Sequence, residues 1–142
     1  MILYRSIGQS ELTALLLDGH VHGRYDNSVE KQNDSTLKKV CCFFTEALRW
    51  LDGCHDFFIE VDIPNDRIIG KGVGVYYAPK NLKQTYVWTG RRGSVEYHFD
   101  EVYINEYSLS DIKTIRGLHK FTDNHINTEI KPILDKFNIE II

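Results

Sequence analysis

Apolar and polar positions alternate from the first residues of the chain. Ile2-Leu3-Tyr4-Arg5-Ser6-Ile7 predicts a strand with Arg5 near its end. Ser10 then caps a predicted helix over 11–18, whose Leu12, Leu15 and Leu16 form an apolar face, and Gly19 stops it. The polar run 20–37 holds no period and predicts a long surface loop. Val40-Cys41-Cys42-Phe43-Phe44 suits a buried strand, and Thr45 is placed to cap a helix over 46–51 before Gly53. A further strand is predicted over 57–63, closed by the Pro64-Asn65-Asp66 turn.

Two more strands are predicted over 73–78 and 85–88, with 95–99 continuing the pairing into Phe99-Asp100-Glu101-Val102-Tyr103-Ile104-Asn105-Glu106-Tyr107. That stretch reads as a strand with carboxylates at its ends, directly after an Arg-rich loop bounded by glycines. A rigid strand of this kind can present one charge to a ligand. Ser108, with Asp111 three residues on, predicts a capped helix over 109–116 ended by Gly117. Ile126, Ile130, Ile133, Leu134 and Phe137 stand at helical spacing, with Pro132 forcing a kink or break, and 139–142 predicts a closing strand or packed tail.

Composition narrows this to one domain over 1–142: 42% of residues are hydrophobic and 26% charged, enough for a real core. The fold class expected is α+β. A formal net charge of -3 leaves no general basic field for nucleic acid or an anionic membrane. Cys41, Cys42 and Cys54 lack framework spacing, and no apolar run approaches the roughly 20 residues of a membrane span, so a reduced, cytoplasmic setting without a membrane is expected. His20 and His22 share a strand face without a third ligand in view, so no metal is expected.

Arg5, Thr45 and Glu101 are the chemically interesting set. A guanidinium can clamp a phosphate, a hydroxyl can orient a ligand, and a carboxylate can stabilise a developing oxocarbenium centre. The order of these residues and their surroundings, Leu3-Tyr4-Arg5-Ser6-Ile7, Ser10-Glu11-Leu12, Phe43-Phe44-Thr45-Glu46-Ala47-Leu48-Arg49-Trp50, Ile59-Glu60-Val61-Asp62-Ile63-Pro64 and Glu101-Val102-Tyr103-Ile104 before Leu109-Ser110-Asp111-Ile112, resembles the ADP-ribosyltransferase family, in particular its small bacterial and phage members.

The resemblance implies two packed, mostly antiparallel sheets forming a central cleft with flanking helices. It also implies cleavage of the nicotinamide-ribose bond of nicotinamide adenine dinucleotide (NAD, a substrate) and transfer of ADP-ribose to a protein or nucleic-acid acceptor, or to water. Arg5, Ser6 and Thr45 would bind the dinucleotide, Tyr76 or Tyr77 would stack on it, and Glu101 would be catalytic together with Arg5 and Thr45, with Glu106 as a second candidate carboxylate. Trp88, Arg91 and Arg92 would recognise the acceptor. Phe99 stands where arginine-modifying members carry Glu or Gln, which disfavours an arginine acceptor. Phe44-Thr45-Glu46 replaces the family's frequent Ser-Thr-Ser, which keeps open a noncatalytic NAD- or protein-binding module. A metal-independent ribonuclease using His22 or His98 with Arg91 and Arg92 is the other alternative. The glycines of Gly70-Lys71-Gly72-Val73-Gly74 are those of a strand edge or of a backbone that a ligand approaches closely.

Overall fold

The computed structural model describes residues 1–23, 40–47, 56–79 and 94–142, with the side chains of 75–79 and 94–97 outside that description. The alternating N-terminal segment forms β1 (Ile2–Ile7), which pairs antiparallel with β3 (Cys41–Phe44) on one flank and β4 (Phe57–Asp62) on the other. Outside β3 lie β6 (Ser94–Ile104) and then β5 (Ile68–Pro79), and outside β4 lie β8 (Ile112–Arg116) and β9 (Glu140–Ile141). Among the described residues this is a seven-stranded sheet, antiparallel except for the β8–β9 pair. A two-stranded sheet joins β2 (His20–His22) to β7 (Glu106–Ser108).

One face of the large sheet carries Leu3, Ile7, Phe43, Ile59, Val61, Val102, Ile104 and Ile115 into a continuous apolar cluster. Leu12 and Leu15 of α1 (Gln9–Asp18), Val21 and Tyr107 of the small sheet, and Ile130 and Leu134 near the C-terminus complete it. The Tyr107 ring meets Phe43 edge-on at 5.2 Å, so the two sheets pack through an aromatic contact. The result is a mixed α+β fold. Among the described residues no helix is long and apolar enough to cross a membrane.

Several elements differ from the sequence expectation. The first helix starts at Gln9, with extended Gly8 as its N-cap, so Ser10 lies inside it and caps nothing. Starting there puts Glu11, Leu12 and Leu15 on the side facing the sheet. Gly19 ends the helix in the left-handed conformation, as expected, with its N–H on Leu15 O at 2.9 Å. Residues 20–22 form a strand rather than loop because β7 supplies a partner ladder. The stretch 99–107 is two strands, broken at Asn105, and not one. Thr45 and Glu46 form a bend, Ala47 belongs to no element, and residues 48–51 of the predicted helix lie outside the described residues, as do residues 24–37 of the predicted loop and the strand predicted over 85–88.

The helix predicted over 109–116 is the clearest correction. The Ser108–Asp111 capping box forms, but it closes only a 3-10 turn (Leu109–Asp111), after which the chain runs straight as β8. A register shift opposite Glu60 and Val61 pairs Val61 with Ile112 and Ile59 with Ile115. This bulge turns two isoleucines three residues apart toward the same core, which imitates a helical spacing. Near the C-terminus α2 (Asp123–His125), a π-helical turn (Ile126–Ile130) and α3 (Lys131–Lys136) follow one another. Pro132 sits in the first turn of α3, where its missing N–H is harmless, and the wider π turn precedes it.

Gly117, directly after β8, has φ +105, and a methyl group added there would overlap the Asp56 carbonyl oxygen. Gly117→Ala is expected to lower the unfolding free energy by about 2–4 kcal/mol, combining left-handed strain with steric overlap. Urea denaturation followed by circular dichroism checks this, and an unchanged midpoint would contradict it.

Candidate functional site

Strand alternation decides which of the predicted site residues can meet. Side chains directly opposite in an antiparallel ladder share a face, and neighbours along a strand point to opposite faces. Tyr4 pairs with Phe44 and Phe44 with Glu101, so these three side chains leave the same face of the sheet. Arg5 pairs with Ile59, a core residue, and therefore leaves the other face. The guanidinium and the carboxylate expected to enclose one ligand are on opposite sides of the sheet.

On the core side, Arg5 is tied down. Its Nε and Nη2 donate to Glu11 Oε1 and Oε2 at 2.9 and 3.2 Å, and Nη1 donates to the Cys42 carbonyl at 2.8 Å. Its guanidinium carbon stands 5.6 Å from the Phe43 ring centroid, and the Tyr107 hydroxyl donates to Glu11 Oε1 at 2.8 Å. The Arg5 and Glu11 side chains are only 22% and 10% exposed. Burial works against the charge on Arg5, but attraction to and hydrogen bonding with Glu11 outweigh it, so its pKa is raised. Burial also raises the Tyr107 phenol well above its ordinary value, with the Glu11 charge adding to the effect and Arg5 opposing it.

On the opposite face, Glu101 is half-buried and accepts a hydrogen bond on Oε2 from the Tyr103 hydroxyl at 2.5 Å. Gly70, Gly72 and Gly74 of β5 pair with Tyr103, Glu101 and Phe99 of β6, and so lie beneath that row. A methyl group on Gly72 would stand 2.6 Å from Tyr103 Oη, and one on Gly74 would overlap the Phe99 ring and stand 2.8 Å from Glu101 Oε1. The glycine run thus admits the side chains of the neighbouring strand, which lie flat across β5. Phe44 meets Phe99 at 5.1 Å, Tyr4 stacks on Phe58 at 5.9 Å, and Arg116 lies over Phe58 at 5.5 Å. This face therefore offers the Tyr103-bonded Glu101 carboxylate beside an aromatic bed, with Glu60 opposite Tyr4 and Arg116 as a cation farther across the sheet.

The other predicted residues are dispersed. Thr45 is half-buried at the end of β3, where its N–H donates to Asp100 O at 3.3 Å, beside the strand that carries Glu101. Ser6 shares the face of Tyr4, and its hydroxyl donates to Phe57 O at 3.4 Å. Glu106 belongs to the small sheet, 53% exposed and 3.1 Å from His22 Nδ1. Tyr76 and Tyr77 pair with Tyr97 and Glu96 on the β5–β6 ribbon, their side chains outside the description. Trp88, Arg91 and Arg92 lie outside the described residues, as does Cys54. His98 is exposed on β6. Among the described residues no group of three or more His, Cys, Asp or Glu is placed to hold a metal ion.

A polar cleft of about 490 Å³ is lined by His20, Arg67, Glu106, Tyr107, Ser108, Ser110 and Asp111. Two of its charged groups are already paired: Arg67 forks onto both Asp111 oxygens at 2.6 and 2.9 Å, and Asp111 also accepts from Ser108 N. None of Arg5, Thr45 and Glu101 lines it. Tyr103, Phe58 and Arg116, which share the Glu101 face, carry no role in the sequence analysis. The glycines at alternate positions 70, 72 and 74 were the available signal, since a row of missing side chains along one strand face marks bulky neighbours. No protein-family model, curated protein or solved structure matches the chain.

Replacing Arg5 by Met strands the Glu11 carboxylate in a largely buried site, and should cost about 3–5 kcal/mol in urea denaturation. A loss below about 1 kcal/mol would show the pair to be peripheral.

The raised Tyr107 pKa gives a second test. The unfolded chain surrenders this proton near pH 10 and the folded chain only at higher pH, so the contribution is complete below about pH 10 and disappears as pH climbs through the folded value. Stability of Tyr107→Phe should therefore decline less steeply than wild type above about pH 10, as read from denaturation midpoints across pH. Parallel curves would contradict the assignment.

Proposed function

We propose that this chain is an ADP-ribosyltransferase-like enzyme that cleaves NAD, with the chemistry centred on Glu101 and with Arg5 serving the scaffold. The observation that carries this reading is the Glu101 carboxylate, hydrogen-bonded by Tyr103 beside Phe44, Phe99 and Tyr4 on a single sheet face. The order of motifs along the chain supports the same reading.

In the proposed reaction the bond between ribose C1′ and the nicotinamide nitrogen breaks, and its electron pair leaves with nicotinamide, which becomes neutral. Positive charge builds on the ribose C1′ and ring oxygen. A carboxylate aimed there stabilises that charge most where water is scarce. An acceptor nucleophile, on a macromolecule or water itself, then bonds to C1′ and gives up its proton. Flat aromatic rings next to the carboxylate suit a planar nicotinamide or a sugar face. The proposed dinucleotide site is thus the Tyr4–Phe44–Glu101 face, and the ADP-ribosyltransferase-like arrangement of sheets around a cleft belongs to the same proposal.

A second reading, a noncatalytic NAD- or protein-binding module, is favoured by the Arg5 contacts. A guanidinium occupied by Glu11 and the Cys42 carbonyl is not available to clamp a pyrophosphate from the Glu101 face. The two readings differ in turnover.

Purified protein mixed with NAD should release nicotinamide. Glu101→Gln, nearly isosteric, should lower kcat about a hundredfold or more while the circular dichroism spectrum is retained. Binding by wild type without nicotinamide release would select the noncatalytic module. Neither binding nor release would end both NAD readings.

A further inference from the structure

Glu101 lies on a strand and is half-buried, yet a glutamate side chain has three rotatable bonds, so its position on the strand alone does not aim its carboxylate. Two features restrain it. Tyr103, two residues farther along the same face of β6 and 8% exposed, donates its hydroxyl to Oε2. Gly74, beneath, leaves the space into which Oε1 extends. Tyr103 is itself seated by absence: Gly70 and Gly72 are the β5 positions under its ring and hydroxyl, where a methyl group would stand 3.2 Å from Cδ2 and 2.6 Å from Oη. Tyr103 therefore cannot lie as it does over any residue with a side chain at 72 without moving its hydroxyl. A glycine within a strand weakens it by roughly 0.5–1 kcal/mol, and this strand has three on one face. Room for the Tyr103–Glu101 contact is the physical return on that weakening.

We propose that Tyr103 is the positioning residue of the Glu101 site: its hydroxyl, seated over Gly72, occupies Oε2 and leaves Oε1 as the carboxylate oxygen presented to the reacting sugar. This rests on the NAD-cleaving reading for its chemical consequence, whereas the hydroxyl–carboxylate contact stands independently of it. Tyr103 does not touch the reacting atoms. It acts through Glu101, by fixing a rotamer that would otherwise be lost to motion, and such preorganisation is a kcat effect more than a KM effect.

Two measurements on the full chain separate the two layers. The first is a double-mutant cycle in stability, comparing wild type, Tyr103→Phe, Glu101→Ala, which removes the acceptor, and the double variant by urea denaturation. The contact predicts that the double variant's midpoint falls by less than the sum of the two single shifts, whereas strict additivity would overturn the contact and the proposal with it. The second is nicotinamide release from NAD by wild type, Tyr103→Phe, Glu101→Gln, the Tyr103→Phe/Glu101→Gln double variant and Gly72→Ala. Tyr103→Phe, which keeps the ring, should lower kcat about tenfold to a hundredfold with KM within about threefold. Gly72→Ala, which keeps the hydroxyl but displaces it, should reproduce that loss. In the Glu101→Gln background Tyr103→Phe should cost nothing more, an outcome a merely structural tyrosine would not give. A Tyr103→Phe enzyme with unchanged kcat, or one whose loss is undiminished in Glu101→Gln, overturns the positioning role. If wild type releases no nicotinamide while the stability cycle shows coupling, the NAD reading fails together with the catalytic consequence drawn from it, and the contact is retained as architecture.

Discussion

Side chains on a strand alternate between two faces, and this constraint governs the molecule. Arg5 is one residue from Tyr4, and that single step sends it through the sheet into the core while Tyr4 joins Phe44 and Glu101 outside it. No rotamer change can bring the two charges together, because a pleated sheet with paired neighbours on both flanks stands between them. Only a slip in register by one residue would exchange the faces, and it would also expel Leu3 and Ile7 from the apolar cluster.

The core charge is best understood as a specified exception to apolar packing. Arg5 and Glu11 sit among Leu3, Phe43 and Tyr107, where an unpaired charge would be costly, and each has more than one polar partner. The network ties β1 and the adjacent first turn of α1 to two segments distant along the chain, β7 through the Tyr107 hydroxyl and β3 through the Cys42 carbonyl. On the other face the logic is reversed. There the glycines of β5 withdraw their bulk, and the aromatic and acidic side chains of β6 occupy the space.

Much of this was legible in the sequence. The alternating run around Leu3, the apolar run around Phe43 and the run around Ile59 became paired strands, and Gly19 ends the first helix in the left-handed conformation; Gly117 is left-handed too, but it follows a strand and not the expected helix. The segment 109–116 misled because its information was split between scales: Ser108 and Asp111 speak for a cap, whereas the bulge opposite Glu60 and Val61, invisible without the partner strand, gives Ile112 and Ile115 a helical spacing. For the same reason Arg5, Thr45 and Glu101 could be singled out by chemistry but not placed on faces. The face depends on which strand pairs with which and in what register, a long-range property that no local pattern contains. Glu11 illustrates the point, since its spacing suits a helix N-terminus while its role is to neutralise Arg5.

The proposed function makes the two faces unequal, and a crystal structure with NAD bound tests that most directly. The nicotinamide ribose is expected beside the Glu101 carboxylate, on the side of Tyr4 and Phe44, with the Arg5 guanidinium still on Glu11. A dinucleotide whose phosphates lie on Arg5, with Glu11 turned away, would contradict it.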